Sequence, residues 1–511
     1  MKTKRILSFI LAAVILCLPI SANGETSLQL SNFSLSSGKF DPTAGTLKIN
    51  FSTNSQCVVY CGIYDANDNE IATVSDGGNV PDAGRWSLTW KGTGSNGKYV
   101  PAGKYTVGLA LSDEYGNTTE PEGLNVEVFY QAKADTSGNR IVTFKDKTLE
   151  RVIRDDINKE QGNILQSDVQ KITKLEMNYQ LEGYDVIRDL SGIEKLTNLT
   201  VLNLGNESDI QKVTSLEPLR NLKNLTELYL DHNLVSSLEP ISGLRKLRVL
   251  HIGGNKVSNI EPLRNLTNLE KLYIGIEAIN GGNNVSDLSP LSGLVNLKEL
   301  GLYGNNGITG IDALKGMTKL TYLNLRGPRI RSISALAGMK NLRHLDIGAN
   351  NSKVSDISVL KNLSEIRELD ISYNKITTVE PLRYLTKLES LSIAGNNIRK
   401  LEPLGGLVNL KSFYIGTSCA GGNPVTDFSV LKNFRNMDTL DLEYMNLKNI
   451  NFLAGLTKLK WLDIKNNSIT SIEPLRGMTN LKYLYLKNNS INDFSPVNGI
   501  MGKLLESDIN E

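Results

Sequence analysis

A pattern of the form L-x-x-L-x-x-L-x-L-x-x-N returns thirteen times, starting at residues 196, 222, 244, 266, 294, 317, 339, 363, 385, 407, 434, 456 and 478. Seven of the intervals are 22 residues, the length of one supersecondary unit, and this period decides what the chain can fold into. The Leu-x-Leu core has the two-residue alternation of a strand. An apolar stretch such as SLEPLRNL follows it, where proline (Pro218, Pro240, Pro262, Pro381, Pro403, Pro474) pre-sets a helical first turn. No single unit can bury its own leucines, so the units must stack. The expected fold is an α/β solenoid with one parallel sheet and 13 to 14 turns, counting a degenerate first turn at Leu175 and Met177.

Eleven residues after its start, a turn carries asparagine in eight cases: Asn233, Asn255, Asn305, Asn350, Asn374, Asn396, Asn467 and Asn489. A buried amide there can bond the backbone of adjacent turns. The departures are Glu207, Glu277, Pro328, Ser418 and Met445, and three of these fall in the longest turns. Two long turns hold near copies of one loop, YIGIEAINGGNNVSDL and YIGTSCAGGNPVTDF. Their starts lie six turns apart, which at about 4.8 Å per strand places the loops on one edge of the sheet, roughly 29 Å from each other. A duplicated block explains them, as inherited spacers or as contact loops.

The opening residues carry Lys2, Lys4 and Arg5, then an apolar run from Ile6 to Ile20 and small residues at Ser21 and Ala22. This reads as a secretory signal peptide over residues 1–24, whose apolar run of fifteen residues is short for a membrane span of roughly 20. Leu16 before Cys17 is too large for a lipoprotein cleavage site. Loss of the three basic residues takes the formal charge from +2 to −1, which gives no general ground for binding nucleic acid. The terminal LLESDINE reads as neither apolar tail nor sorting signal. The expected location is secreted, free or held at the cell surface by non-covalent contact.

Residues 25–130 are patterned as short alternating strands between Gly, Asn, Asp and Pro turns, which predicts an all-β sandwich of about seven strands. Residues 131–140 read as a linker, 141–195 as a helical cap with the degenerate turn, and 196–511 as the solenoid. Leu149, Val152, Ile153 and Ile157 have helical spacing in the cap. Cys57 and Cys61 lie four apart on one strand face, roughly 13 Å, beyond the about 7 Å reach of a disulfide. They read as small buried hydrophobes. YDANDNE lacks the glycine and spacing of a calcium loop and reads as a hairpin turn.

Two resemblances stand beside this reading. The span WKGTGSNGKYVPAGKYTV, with Trp90, Gly97, Pro101, Gly103 and Tyr105, resembles the Ig-like module first known from flagellar hook-capping proteins. The cap feeding directly into 22-residue repeats resembles the internalins, and implies binding of another organism's surface proteins. The order departs from the internalin pattern, in which the Ig-like domain and a wall anchor follow the repeats.

No nucleophile elbow, phosphate loop or zinc-ligand spacing occurs around His232, His251 and His344, and Cys419 has no activating neighbour in sequence. The chain is expected to be no enzyme and to hold no metal and no cofactor. Strand residues five, seven and nine after each start point to the concave side. They place Tyr229, Tyr273, Tyr303, Tyr322, Tyr414, Trp461, Tyr483 and Tyr485 there, with Asp346, Asp370, Asp441 and Asp463 in two side-by-side pairs. Aromatics of this kind dominate interface hot spots. Two aspartates about 5 Å apart repel by roughly 1 to 3 kcal/mol. A basic partner would relieve them, or Lys465 and Lys487 would offset them within the chain. The expected partner is an extracellular protein, basic in character, or a glycan. Nucleic acid and membrane insertion of the mature chain are not expected, and oligomeric state is open. The alternative is an architectural spacer whose Ig-like domain makes the functional contact.

Overall fold

The Leu-x-Leu cores become strands of three to five residues, and the apolar stretches after them become short 3₁₀ helices. The computed structural model describes residues 27–129, 139–176, 186–205, 213–277, 282–348, 354–417 and 422–509. The segment read as a signal peptide, with Cys17, and most of the linker, Met177, Glu207, Asn350, Ser418 and Cys419 lie outside the described residues. Two compact units divide the chain, Met1–Val142 with Arg154–Gln166, and Thr143–Ile153 with Ser167–Glu511.

In the first unit the strands are β1 (Leu30–Leu35), β2 (Lys39–Phe40), β3 (Leu47–Thr53), β4 (Cys57–Tyr64), β5 (Glu70–Val80), β6 (Gly84–Trp90), β7 (Gly103–Ser112) and β8 (Glu122–Val128). They form two sheets, β1-β3-β6 and β2-β8-β7-β4-β5. Alternation in LKINFST buries Leu47, Ile49 and Phe51 against Val59, Cys61, Ile63, Val107 and Leu109. Trp90 packs between Phe40 (centroids 5.3 Å apart) and Tyr105 (6.1 Å), and its indole N–H donates to the Thr93 carbonyl at 2.9 Å. Gly92 has φ +78°, and a Cβ there would stand 2.5 Å from Pro42 Cγ, so glycine is required. Cys57 and Cys61 are free and buried, and burial pushes the Cys61 thiol up to about 12. In YDANDNE the Asp65 carboxylate accepts the Asn67 and Asn69 N–H groups at 2.8 and 3.0 Å, a closed hairpin turn.

In the second unit Asp146 caps the helix Lys147–Asp156, accepting the Thr148 and Leu149 N–H groups at 2.9 and 3.2 Å. Leu149 and Ile153 are fully buried. Among the described residues fifteen parallel strands then stack in sequence order, from Lys174–Glu176 to Glu506–Ser507. The last pairs with Tyr483–Tyr485 and adds an edge strand beyond the thirteen repeats. Core leucines such as Leu228, Leu250, Leu272 and Leu300 are completely buried.

The asparagines form a hydrogen-bonded spine along the turns, broken where Pro328 and Met445 stand in their place. The Asn255 amide donates to Leu230 O (2.8 Å) and Ile252 O (3.1 Å), while its oxygen accepts the Val235 N–H at 3.0 Å. Asn233, Asn374, Asn396, Asn467 and Asn489 each donate to a carbonyl of their own turn and one of the preceding turn. The duplicated loops do not interrupt this spine. Asn283 accepts Val257 N–H at 2.8 Å and donates to Ile252 O and Ile274 O. Asn423 accepts Ile398 N–H at 2.9 Å and donates to Ile393 O. The asparagine of Gly-Gly-Asn is therefore the spine residue itself, displaced by the insertion. Glu277 and Ser418 mark where the insertions begin, not where the spine fails. Glycine is needed beside it, because a Cβ on Gly282 would stand 2.4 Å from Gly304 O.

Candidate functional site

All the residues expected on the concave face except Tyr303 lie in the parallel register of the strands, and the face divides into two differently built halves. In the first half, Tyr229, His251 and Tyr273 are direct cross-strand neighbours with centroids 4.8 and 4.4 Å apart. Tyr273 then leans across Gly301, where a Cβ would stand 2.5 Å from its ring, to reach Tyr322 at 5.9 Å. Tyr322 stacks on His344 at 4.4 Å and 14°. Five rings thus form one ladder. Tyr229 donates its hydroxyl to Glu227 (2.9 Å) and Tyr273 to Glu299 (2.8 Å), so the rings are anchored at their polar ends. Burial, then the Glu227 bond, pushes the Tyr229 phenol up to about 12, and burial raises Tyr273 and Tyr322 likewise. Tyr303 sits at a register shift where Gly275 pairs with Leu302, and makes none of the described ring contacts.

His251 and His344 were not among the expected site residues, yet both occupy the same register positions as the tyrosines. His251 Nδ1 lies 3.4 Å from Asp231, and His344 Nδ1 lies 2.8 Å from Glu368.

The aspartate pairs are in register as expected, Asp346 beside Asp370 and Asp441 beside Asp463. Burial and internal pairing set the two pairs apart. Asp346 and Asp463 are buried, at 4% and 5% exposure. The first pair also carries its own cation. Arg326, nine residues after the start of its turn, places one guanidinium nitrogen 3.3 Å from Asp346 and 2.8 Å from Asp370. Burial nevertheless pushes the Asp346 carboxyl up to about 6, with Asp370 adding to it and the Gly348 N–H and Arg326 opposing.

In the second pair Lys465 reaches Asp463 at 3.0 Å and lies over the Tyr485 ring at 5.1 Å. Asp441 takes part in none of the described ion pairs; its carboxylate accepts the Glu443 N–H at 2.9 Å, and burial pushes it up to about 6. Trp461 pairs with Tyr483 in register and packs on Tyr485 at 5.8 Å. It is half-buried rather than free in water.

Between the halves, the turn starting at 385 presents only Ser390, Ser392 and Ala394. The result is a hollow of about 450 Å³, walled by Glu368, Asp370 and Tyr373 on one side and Tyr414, Asp441 and Glu443 on the other. Among the described residues no group of His, Cys, Asp and Glu is arranged to hold a metal ion, and no helix is long and apolar enough to cross a membrane.

Comparison with known proteins agrees with this geometry. The leucine-rich repeat region family matches residues 184–380 and 236–506, and the FlgD Ig-like domain family matches residues 34–114. The crystal structure of an internalin, InlF from Listeria monocytogenes, is 29% identical with a TM-score of 0.56, over 72% of this chain and 96% of that one. The functional domain of InlJ from the same species is 24% identical with a TM-score of 0.56, over 69% and 71% of the two chains. A leucine-rich repeat protein of Leptospira interrogans is 20% identical with a TM-score of 0.54, over 67% and 97%. These last two share the fold. No curated protein sequence matches significantly. The chain belongs to the leucine-rich repeat family and is an internalin-like member of it, with an Ig-like domain of the FlgD type preceding its repeats.

Proposed function

We propose that this chain is an exported, non-catalytic recognition protein that binds a protein partner through the concave face of its repeats. The five-ring ladder is the observation that carries this reading. Its rings lie 4.4 to 5.9 Å apart, one pair stacked and three tilted by 36 to 54°, so each ring face is partly occupied by its neighbour and the rings form one continuous aromatic surface. A flat sugar ring stacks best on a free aromatic face, whereas aromatic residues sharing one surface with flanking carboxylates are typical of protein interfaces. The ladder therefore favours protein over glycan. Its rings are also already ordered, which lowers the entropy cost of association.

The test uses the full chain with a photo-crosslinking residue at one site at a time: Tyr229 or Trp461 on the concave face, Glu402 on the convex side, and Tyr115 in the sandwich. Incubated with extracellular protein fractions, the concave sites should yield one common adduct. Adducts confined to Tyr115 would instead make the solenoid a spacer and the Ig-like domain the contact.

A further inference from the structure

The hollow over Ser390 and Ser392 has a shape and charge that the ladder does not explain. From the turn starting at 317 to the one starting at 456, every other turn places an aromatic or charged side chain at its inward positions. The turn at 385 alone leaves a gap. Asp370 and Tyr414 stand on the strands either side, which at about 4.8 Å per strand are roughly 10 Å apart. Both neighbouring walls are anionic, and among the described residues a cation bridges the paired carboxylates on only one of them.

The neutralised wall shows what this surface takes. On the Asp346–Asp370 side a single guanidinium bridges two carboxylates on adjacent strands, at 3.3 and 2.8 Å. A planar fork of this kind matches paired carboxylates better than any other side chain. On the opposite wall Asp441 has the same register relation to Asp463 but no such bridge among the described residues: Lys465 pairs directly with Asp463 and acts on Asp441 only from farther away. Glu443 stands beside it on the hollow. Tyr414 adds an aromatic ring next to the unneutralised carboxylate, a favourable flank for a cation.

We infer that the hollow seats a lysine or arginine side chain of the partner, between Asp370 and Asp441, doing for Asp441 what Arg326 does for Asp346. This rests on the reading that the concave face binds a protein, and it names the chemistry of the contact: a basic residue projecting from the partner surface. An arginine fits best, because its fork can span Asp441 and Glu443 while its stem lies over the two serines.

The experiment uses the full chain and a fluorescein-labelled hexa-arginine peptide, read by anisotropy at roughly 0.15 M salt, where long-range attraction is screened. Asp441→Asn should weaken binding about tenfold or more, the loss expected for one desolvated charge contact. Glu402→Gln, the same charge change on the convex side, should change it less than about twofold. Ser392→Arg should fill the hollow from within and abolish peptide binding while the protein keeps its cooperative melt. Absence of binding by the unaltered protein, equal losses in Asp441→Asn and Glu402→Gln, or undiminished binding by Ser392→Arg would each overturn the inference. Crosslinking at Tyr229 reports separately on the concave face, so an adduct there with a negative peptide result removes the hollow and leaves the proposed function standing.

Discussion

Asp346–Asp370 and Asp441–Asp463 occupy the same register on the same sheet, four turns apart, yet they are different objects. The first is a closed internal network: two carboxylates, one shared guanidinium, and a stacked His344–Tyr322 pair beside it. The second is half closed, with a lysine on one carboxylate and none on the other. The position nine residues into a neighbouring turn makes the difference. It is Arg326 in one case, glycine (Gly416) in the turn just before the second pair, and glutamate (Glu443) in that pair's own first turn. A like-charge pair on a repeat sheet is thus neither strain nor site by itself; its meaning depends on what the flanking turns supply.

The largest effect should come from breaking the closed network. Arg326→Ala leaves Asp346, 4% exposed, without its cation. Removing one partner of a buried pair costs about 3 to 5 kcal/mol, and with Arg326 itself 31% exposed an expected loss of about 2 to 4 kcal/mol is reasonable. Urea denaturation of the full chain, following the solenoid transition, measures it. Arg326→Lys should recover only part, since a point charge cannot bridge both carboxylates. A loss below about 0.5 kcal/mol for Arg326→Ala would mean that Asp346 is neutral in the folded protein and the network is not ionic.

On the open side the corresponding loss should appear in binding. Trp461→Ala should weaken partner affinity by about 2 kcal/mol or more, the cost of a hot-spot aromatic. Because Trp461 packs on Tyr485, folding should also suffer, by about 1 kcal/mol. Arg383→Ala on the convex side should alter neither; its only described ion pair is with Glu380, three residues away. Loss of stability with unchanged affinity would move the contact away from this half.

How much of this was legible follows from where each interaction lies along the chain. The solenoid could be read because its period is local and repeated, so each turn's leucines announce the next. The displaced spine residues Asn283 and Asn423 escaped a fixed count of eleven, since an insertion before the asparagine moves it without removing its role. Counting back from the Val that follows it by two (Val257, Val285, Val425) would have found both. Arg326, His251 and His344 stand at the same concave positions nine, seven and five after their starts, but their roles come from the neighbouring strands rather than from residue type alone. The burial of Asp346 and Asp463 could not be read at all. It depends on three-dimensional packing around a three-residue strand, such as Arg326 of the preceding turn on Asp346, which no pattern within one turn encodes.

Acid should act on both pairs with the same sign. Burial raises the folded values of Asp346 and Asp441 to about 6 from 3.8, so the folded state holds more protons than the unfolded one between those values. Stability from these two groups therefore rises as pH falls from above 6 toward 4, and is lost as pH rises through 6. A gain on the order of 1 to 3 kcal/mol is expected between pH 7.5 and 5, measured by urea midpoints at constant salt. A flat or falling profile over that window would show that both carboxylates are well solvated or fully paired.

The smallest effect separates the two members of the open pair. Asp441→Asn removes a charge that has burial against it and no described ion pair in its favour, while the amide oxygen can still accept the Glu443 N–H. Melting at pH 7.5 should shift upward by the equivalent of about 1 kcal/mol. Asp463→Asn removes the same repulsion but also the 3.0 Å bond to Lys465, so its melt should stay level or fall. Repeating the melts at pH 5 supplies the control. There the Asp441 carboxyl is largely protonated in the folded protein, and the advantage of Asp441→Asn should shrink. An advantage that persists at pH 5 would trace to packing or local backbone preference. Equal stabilisation by both substitutions would show that Lys465 contributes nothing to Asp463, and the contrast between the closed and open pairs would then rest on Arg326 alone.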